Sequence, residues 1–439
     1  MLSWASQVDC VSPLSQVRYV SVNRLVSKQL AGGRIALNRA MVLMQIPDSD
    51  ALAHSETLVA TIRRAIARSP GGALPFSRFM EMALYTPGLG YYSAGSNKFG
   101  QEGDFVTAPE ISPFFSQTFA ELFIPWLRRL GPGARLVEIG AGSGAFASTV
   151  LAVLHAQQML PASYAILETS ADLRARQRDC LMSRLPPEVV RRVVWLDRPL
   201  TERWVGIIFA NEVVDALPFT SFLVKDGLFY EEMVTVNGSG ELACAFHPAS
   251  KTLCEYLSQL ECALGERFAD GYRSECLPQL PFWLQAITAG FDQGVVLIND
   301  YGFPRKDYYR PDRSEGTRRA YYRHQMHNNL YQWPGLQDIT ASIDFTALAE
   351  AGCQAQLSLE GYCTLSQFMR HHGIAQRLVE ASRLLDASDI LGLQRLKTQM
   401  RQLLFPEQMG ECFQVMAFSR RFDVAEESFF PCPDLTWRL

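Results

Sequence analysis

The chain has 439 residues, 48% of them hydrophobic and 20% charged, so it can bury a substantial core and does not have the composition of a disordered chain. Its formal net charge of -4 argues against a dedicated nucleic-acid-binding protein, because such proteins normally carry a basic excess. The 10 cysteines form no C-x-x-C pair and no apolar run reaches the length of a transmembrane helix, so the sequence predicts neither a metal site nor a membrane span.

The N-terminal segment is basic and poor in acids, since Asp9 is the only acidic residue before Asp48. This composition is typical of a mitochondrial presequence, which would place the protein in the mitochondrial matrix. The alternative is an over-extended N-terminus, with translation starting at Met41 or Met44, in a cytoplasmic bacterial protein. On either interpretation we exclude residues 1–43 from the fold.

Residues 44–130 predict an N-terminal helical and lid region. Apolar residues at helical spacing predict a helix over 55–68, a shorter helix that stops at Pro87, and a third from Pro113 to about Leu130. A long loop rich in glycine and tyrosine precedes the third helix, and loops of this length are commonly functional. We expect a lid over a cofactor there, and the alternative is a cap for the helix that follows.

From residue 131 to 439 the pattern changes to strands that alternate with helices. Such alternation predicts an α/β, Rossmann-like parallel sheet with helices on both faces. Residues 230–290 interrupt it with a predicted strand and amphipathic helices, which we interpret as an insertion covering the site. The predicted strands are 136–139, 164–167, 193–196, 207–210, 221–224 and 295–299, and the main helices are 145–158 and 171–185.

A glycine turn follows the first strand of this sheet, in the segment 138–144, EIGAGSG. The glycines allow a ligand to approach the backbone, and the helix N-terminus presents free N–H groups. The spacing is not the dinucleotide G-x-G-x-x-G, and Glu138 would repel a pyrophosphate but attract the ammonium group of a methionine. These features favour S-adenosylmethionine as the ligand of Glu138, Gly140, Gly142 and Gly144, and the alternatives are NAD, FAD or a tight turn that binds no ligand.

Two further acids follow the next two strands. Glu168 ends the second strand, where an acid can hydrogen-bond both ribose hydroxyls of an adenosine. Asp197 follows the third strand and is predicted to approach the adenine amino group. In both cases the alternative is a solvated acid at a strand end.

The loop after the fourth strand, 210–218, faces the methyl acceptor in a methyltransferase of this fold. It lacks the N-P-P-Y or D-P-P-Y sequence of adenine and amide N-methyltransferases and offers Glu212 and Asp215 instead. Carboxylates suit a cationic acceptor such as guanidinium, which they hold by charge-assisted hydrogen bonds. The alternative for Asp215 is the N-cap of a helix.

Six segments together resemble the MidA-like methyltransferase family: GDFVTAPEISP, EIGAGSGAFA, ILETSADLRARQ, ANEVVDALP, DYGFPRKDYYRP and PGLQDITASIDFTALAEAG. The resemblance implies a class I methyltransferase fold, S-adenosyl-L-methionine as cofactor, and omega-N methylation of a protein arginine. The family includes a mitochondrial assembly factor that methylates an arginine of a complex I subunit.

Carried onto this chain, the resemblance places the lid at Gly103, Asp104 and Phe105, and the acceptor loop at Asn211, Glu212 and Asp215. A protein substrate is the implied partner, with no nucleic acid. Two other classes of function stay open at this point. One is a small-molecule methyltransferase, and the other is an assembly factor that binds the cofactor without catalysis.

Overall fold

The computed structural model of the chain describes residues 46–95, 107–386, 389–424 and 434–439. The predicted extension over residues 1–43 and the predicted lid residues Gly103, Asp104 and Phe105 lie outside these ranges.

The helices predicted from the sequence are present, and apart from the start of the first one their ends lie close to the expected residues. The helix expected over 55–68 begins earlier because Asp48 caps it, its side chain accepting from the backbone N–H of Ala51 at 2.9 Å. The helices are α1 (Ser49–Arg68), α2 (Phe76–Tyr85), α3 (Ala108–Ile111), α4 (Pro113–Leu130), α5 (Ala145–Ala156), α6 (Ala171–Arg184), α7 (Pro187–Val190), α8 (Lys251–Leu264), α9 (Leu280–Ile287), α10 (Arg305–Tyr308), α11 (Phe345–Gln354), α12 (Leu365–His371), α13 (Ile374–Leu384), α14 (Ile390–Leu404) and α15 (Met409–Cys412).

The strands form three sheets in the described residues. They are β1 (Leu74–Pro75), β2 (Arg135–Ile139), β3 (Ser163–Leu167), β4 (Val193–Leu196), β5 (Trp204–Asn211), β6 (Thr220–Lys225), β7 (Leu228–Val236), β8 (Leu242–Pro248), β9 (Arg273–Cys276), β10 (Phe291–Phe303), β11 (Arg319–Tyr322), β12 (Gln325–His327), β13 (Asp338–Thr340), β14 (Ile343–Asp344), β15 (Ser358–Thr364) and β16 (Phe413–Arg420).

The main sheet has the order β15-β16-β10-β5-β2-β3-β4, and β14 pairs with the end of β10. Strands β2, β3, β4, β5 and β10 are parallel, whereas β16 runs antiparallel between β10 and β15. This order, with its reversed strand, is that of a class I methyltransferase. The predicted Rossmann-like α/β fold is therefore confirmed.

Both faces of the main sheet are buried, as the continuous apolar runs of its strands predict. Alternate residues of β5 point to opposite faces: Ile207 and Phe209 pack with α4 and α5, and Ile208 and Ala210 pack with α9 and α11. The ring of Phe209 stacks on Phe146 of α5 with centroids 4.2 Å apart. This packing fixes the carboxyl ends of the parallel strands, where the site lies.

A second layer contains a five-stranded sheet of order β1-β7-β6-β9, with β8 beside β7, and a three-stranded sheet of order β12-β11-β13. The strand predicted at 221–224 exists as β6 but belongs to this layer and not to the main sheet. The reason is the turn Asp226-Gly227, in which both residues have positive φ, 53° and 70°. Such a two-residue turn closes an antiparallel hairpin.

The insertion over 230–290 contains the predicted strand and helices, as β7, α8 and α9, together with strands β8 and β9. Buried residues of α1 and α2 pack against β7 and the three-stranded sheet in one hydrophobic cluster. In the described ranges, no helix combines the length and the apolar composition that a bilayer crossing requires.

Candidate active site

A cavity of about 460 Å³ lies at the carboxyl ends of β2, β3 and β5, where open α/β sheets bind their ligands. Of the described residues that line it, none is lysine, arginine or histidine. Its carboxylates are Glu138, Glu168, Glu212, Asp215, Asp338 and Glu407. A cavity with this composition attracts cations and repels phosphates.

The glycine turn lies between β2 and α5, with φ of 66° at Gly140, 52° at Gly142 and 84° at Gly144. L-residues with a side chain rarely adopt these angles. Gly140 and Gly142 line the cavity. Gly144 does not, and a Cβ atom there would lie 3.2 Å from the Cα of Gln177, so this glycine serves the packing of α5 on α6.

Glu138 projects from β2 into the cavity and is 3% exposed. Its carboxylate accepts a hydrogen bond of 2.6 Å from the hydroxyl of Tyr164. Burial raises the pKa of Glu138 to about 8, and the bond from Tyr164 opposes this shift. A ligand ammonium group would stabilise the ionised form, so the residue fits the predicted methionine site.

Glu168 lies just after β3 and also lines the cavity. It accepts from the backbone N–H of Ser170 at 2.9 Å and from the side-chain amide of Gln177 at 3.3 Å. Burial raises the pKa of its carboxyl although these bonds oppose the shift. Asp197 is exposed and does not line the cavity. The predicted cofactor residues therefore meet at one cavity, apart from Asp197 and Gly144.

The acceptor loop begins at Asn211, the last residue of β5, and Glu212 follows with a φ of 53°. Asp300 of β10 holds this loop: its fully buried carboxylate accepts from the backbone N–H groups of Val213 and Val214 at 3.1 and 2.9 Å, and from a third N–H at residue 215. Asp300 is the first residue of the segment DYGFPRKDYYRP, to which the sequence assigned no role.

Glu212 and Asp215 both face the cavity. Burial and the neighbouring Asp215 raise the pKa of Glu212 to about 8, and burial raises that of Asp215 to about 6. Glu212 accepts from the side-chain amide of Asn211 at 3.1 Å and from the backbone N–H of Ala108 at 3.4 Å. Asp215 Oδ1 is buried and has no hydrogen bond of normal geometry within the described part of the chain, although the Tyr301 side chain lies near this carboxylate and opposes the rise of its pKa.

The alternative role of Asp215 as a helix cap does not hold, because the next helix, α8, begins only at Lys251. A buried carboxylate oxygen without a hydrogen bond of normal geometry is costly, and a ligand donor would relieve the cost. The loop therefore fits a cationic donor such as guanidinium.

Sequence reasoning missed another part of the cavity wall. This part carries Asp338 at the start of β13 and tyrosines from several elements: Tyr85, Tyr92, Tyr301 and Tyr321. Asp338 lies in the segment PGLQDITASIDFTALAEAG, but that segment gives the residue no role, because it reaches the cavity only through the pairing of β13 with β11 in the second layer.

The model of the Methyltransf_28 family, S-adenosyl-L-methionine-dependent methyltransferases, matches residues 118–363. The chain belongs to this family. It is similar to a COG1565 superfamily member from Burkholderia thailandensis whose crystal structure contains S-adenosyl-homocysteine: the TM-score is 0.83 and the identity 37%, over 90% of this chain and 100% of that one.

Two curated relatives are named protein arginine methyltransferases. The NDUFAF7 homolog of Drosophila melanogaster is 30% identical over 300 residues, which span 62% of this chain and 65% of that protein. NDUFAF7 of Danio rerio is 27% identical over 372 residues, which span 78% and 82%. Both names include the word mitochondrial.

The predicted enzyme class and cofactor are confirmed: this family member is an S-adenosylmethionine-dependent methyltransferase. The described residues fit that cofactor, because the turn of positive-φ glycines and the buried Glu138 and Glu168 line one cavity. The roles of the individual site residues stay predictions.

The raised pKa values predict how stability depends on pH. Glu138 and Glu212 keep their protons to about pH 8 in the folded state, whereas the unfolded chain loses them near 4.5. Rising pH then favours the unfolded state, so their contribution to the free energy of unfolding should fall between about pH 4.5 and 8. Urea denaturation of the cofactor-free protein at a series of pH values measures this fall.

The control is the double variant Glu138→Gln and Glu212→Gln, which removes both titrating groups and should flatten that part of the pH profile. A wild-type profile parallel to that of the double variant would show that these carboxyls titrate normally.

Proposed function

We propose that the enzyme methylates the omega nitrogen of arginine in a protein. The observation that carries the proposal is the acceptor loop, where Glu212 and Asp215 line a cavity that no described basic residue lines. The names of the two curated relatives agree with this substrate class. Support of respiratory complex I assembly, which the family resemblance implies, is part of the same proposal.

The carboxylates of Glu212 and Asp215 suit an acceptor that must lose a proton during methyl transfer. Guanidinium has a pKa above about 12 and is a poor nucleophile while it is protonated. Binding of the cation favours the ionised forms of Glu212 and Asp215 over the protonated forms of the empty site. The two carboxylates then hold the cation with one nitrogen directed at the cofactor, and one of them accepts the proton released as the new C–N bond forms. The cofactor supplies the activated methyl group.

In this proposal the main sheet binds the cofactor and the second layer contacts the acceptor. The main sheet holds the cofactor at its strands β2 and β3. In the described part of the N-terminal region, residues 46–95 pack with the inserted strands in the second layer, whereas residues 107–130 pack on the main sheet. The second layer closes the cavity on the acceptor side. An acceptor protein would meet that layer first.

Transfer of a labelled methyl group from the cofactor into a lysate of cells that lack the enzyme tests the proposal. We expect the label in protein, and acid hydrolysis should recover it as methylarginine. Label in small molecules would favour a small-molecule methyltransferase instead. No label, together with tight cofactor binding in calorimetry, would favour a binding-only assembly factor.

A further inference from the structure

The acceptor side of the cavity has a second acidic wall, next to the loop of Glu212 and Asp215. Asp338 lines the cavity from the first position of β13 and is 4% exposed. The hydroxyl of Tyr92 donates to its Oδ1 at 3.0 Å. A carboxylate this deeply buried needs hydrogen bonds or a cation to offset its desolvation.

Backbone contacts fix Asp338 relative to the acceptor loop. The backbone N–H of Ala341, one residue after β13, donates to the carbonyl of Asp215 at 3.1 Å. This bond attaches the end of the strand to the loop. The two carboxylates therefore belong to one rigid corner, although they come from different sheets and are 123 residues apart in the sequence, from 215 to 338.

Two stacked tyrosines make a second connection between the walls. The hydroxyl of Tyr85 donates to the carbonyl of Ala216 at 2.9 Å, next to Asp215, while Tyr92 donates to Asp338. The two rings stack with centroids 5.6 Å apart. Burial, followed by the charges of Asp338 and Asp215, raises the pKa of Tyr85 well above its usual range, so both acids are close to this ring.

We propose that Asp338 is the third carboxylate of the acceptor site and that it makes the site selective for guanidinium over ammonium. A guanidinium group presents five N–H donors in one plane, directed along more than one edge. Glu212 and Asp215 take one edge and Asp338 takes another. A lysine ammonium is a point charge with three donors and cannot span both walls. This inference rests on the proposed function.

The variant Asp338→Asn removes the charge and keeps the shape. At saturating cofactor, the initial rate of methyl transfer should be measured against increasing lysate protein. The slope at low protein should fall at least about tenfold, because a hydrogen bond to a charged group contributes roughly 1.5–3 kcal/mol. The loss should lie in KM for the acceptor more than in kcat, and calorimetry should give a cofactor Kd within about twofold of the wild-type value.

Two variants separate a direct role from a structural one. Tyr92→Phe removes the hydrogen bond to Asp338 but keeps the carboxylate, so its slope should fall much less than that of Asp338→Asn. Asp312→Asn removes an exposed acid paired with Arg310, outside the residues that line the cavity, and controls for the change in net charge. Its slope should match the wild type.

An unchanged slope for Asp338→Asn would overturn the inference. So would an equal fall in Tyr92→Phe, or a fall matched by weaker cofactor binding, since either would show that Asp338 only supports the fold. These outcomes differ from failure of the proposed function. If the wild-type enzyme labels no arginine, the proposed function fails together with the inference. If it labels arginine and the slope of the Asp338→Asn variant equals that of the wild type, only the inference fails.

Discussion

Replacement of Glu212 by glutamine should reduce methyl transfer by about 100-fold or more, since orientation of the acceptor and acceptance of its proton each contribute on that scale. The side chain keeps its size and its bond from Asn211 but loses the charge that holds a cation. Cofactor affinity should stay within a few-fold of the wild-type value, because Glu212 lies on the acceptor loop and not on the glycine turn. Label transfer to the lysate measures the first effect, and calorimetry measures the second.

The matched control is Glu231→Gln. Glu231 is a glutamate of β7 that does not line the cavity, and burial raises the pKa of its carboxyl as well. This variant should transfer methyl groups at the wild-type rate. Asp215→Asn should behave like Glu212→Gln if the two acids share the acceptor. Transfer by Glu212→Gln at the wild-type rate would contradict the arginine mechanism and favour an acceptor held by other groups.

Replacement of Gly142 by valine should abolish binding of S-adenosylmethionine. Gly142 lines the cavity in the turn before α5, where a valine side chain would occupy space that the ligand needs. Its φ of 52° adds backbone strain of roughly 1–2 kcal/mol for a residue with a Cβ atom. The variant should therefore be less stable but folded, and calorimetry of the purified protein decides whether it binds.

Gly227→Val controls for the strain alone. Gly227 has a φ of 70° in the turn between β6 and β7, and a Cβ atom there would meet nothing within 4 Å. It should lose a similar amount of stability and bind the cofactor normally. Cofactor binding by Gly142→Val with wild-type affinity would refute the assignment of the glycine turn, as would preferential binding of NAD by the wild-type protein.

The sequence predicts the Rossmann-like half of the molecule well because its signals are local. Each parallel strand is a short apolar run, and the turn at Gly140 and Gly142 needs residues that accept a positive φ. The carboxylates Glu138, Glu168 and Glu212 follow from their places at strand ends. All three line the cavity in the structure.

The acceptor wall could not be predicted in this way because it depends on contacts between distant segments. Asp338 reaches the cavity through the second layer, and Asp300 acts by accepting backbone N–H groups of a loop 85 to 87 residues earlier in the chain. No spacing of residues in the sequence indicates the role of Asp338 or of Asp300. The hairpin of β6 and β7, by contrast, could have been predicted from the sequence, because the dipeptide Asp226-Gly227 is typical of the turn that joins an antiparallel pair.

The bonds from the acceptor loop to Asp300 have a consequence for amide hydrogen exchange. Residues 213–215 are in irregular structure, and loop amides usually exchange rapidly with solvent. Here their protons are held by a fully buried carboxylate on β10, which pairs with β5 and β16. They should exchange as slowly as the core strands, because they are released only when β10 opens. On the proposed function, the acceptor would then bind at a preformed corner and not at a loop that folds around its substrate.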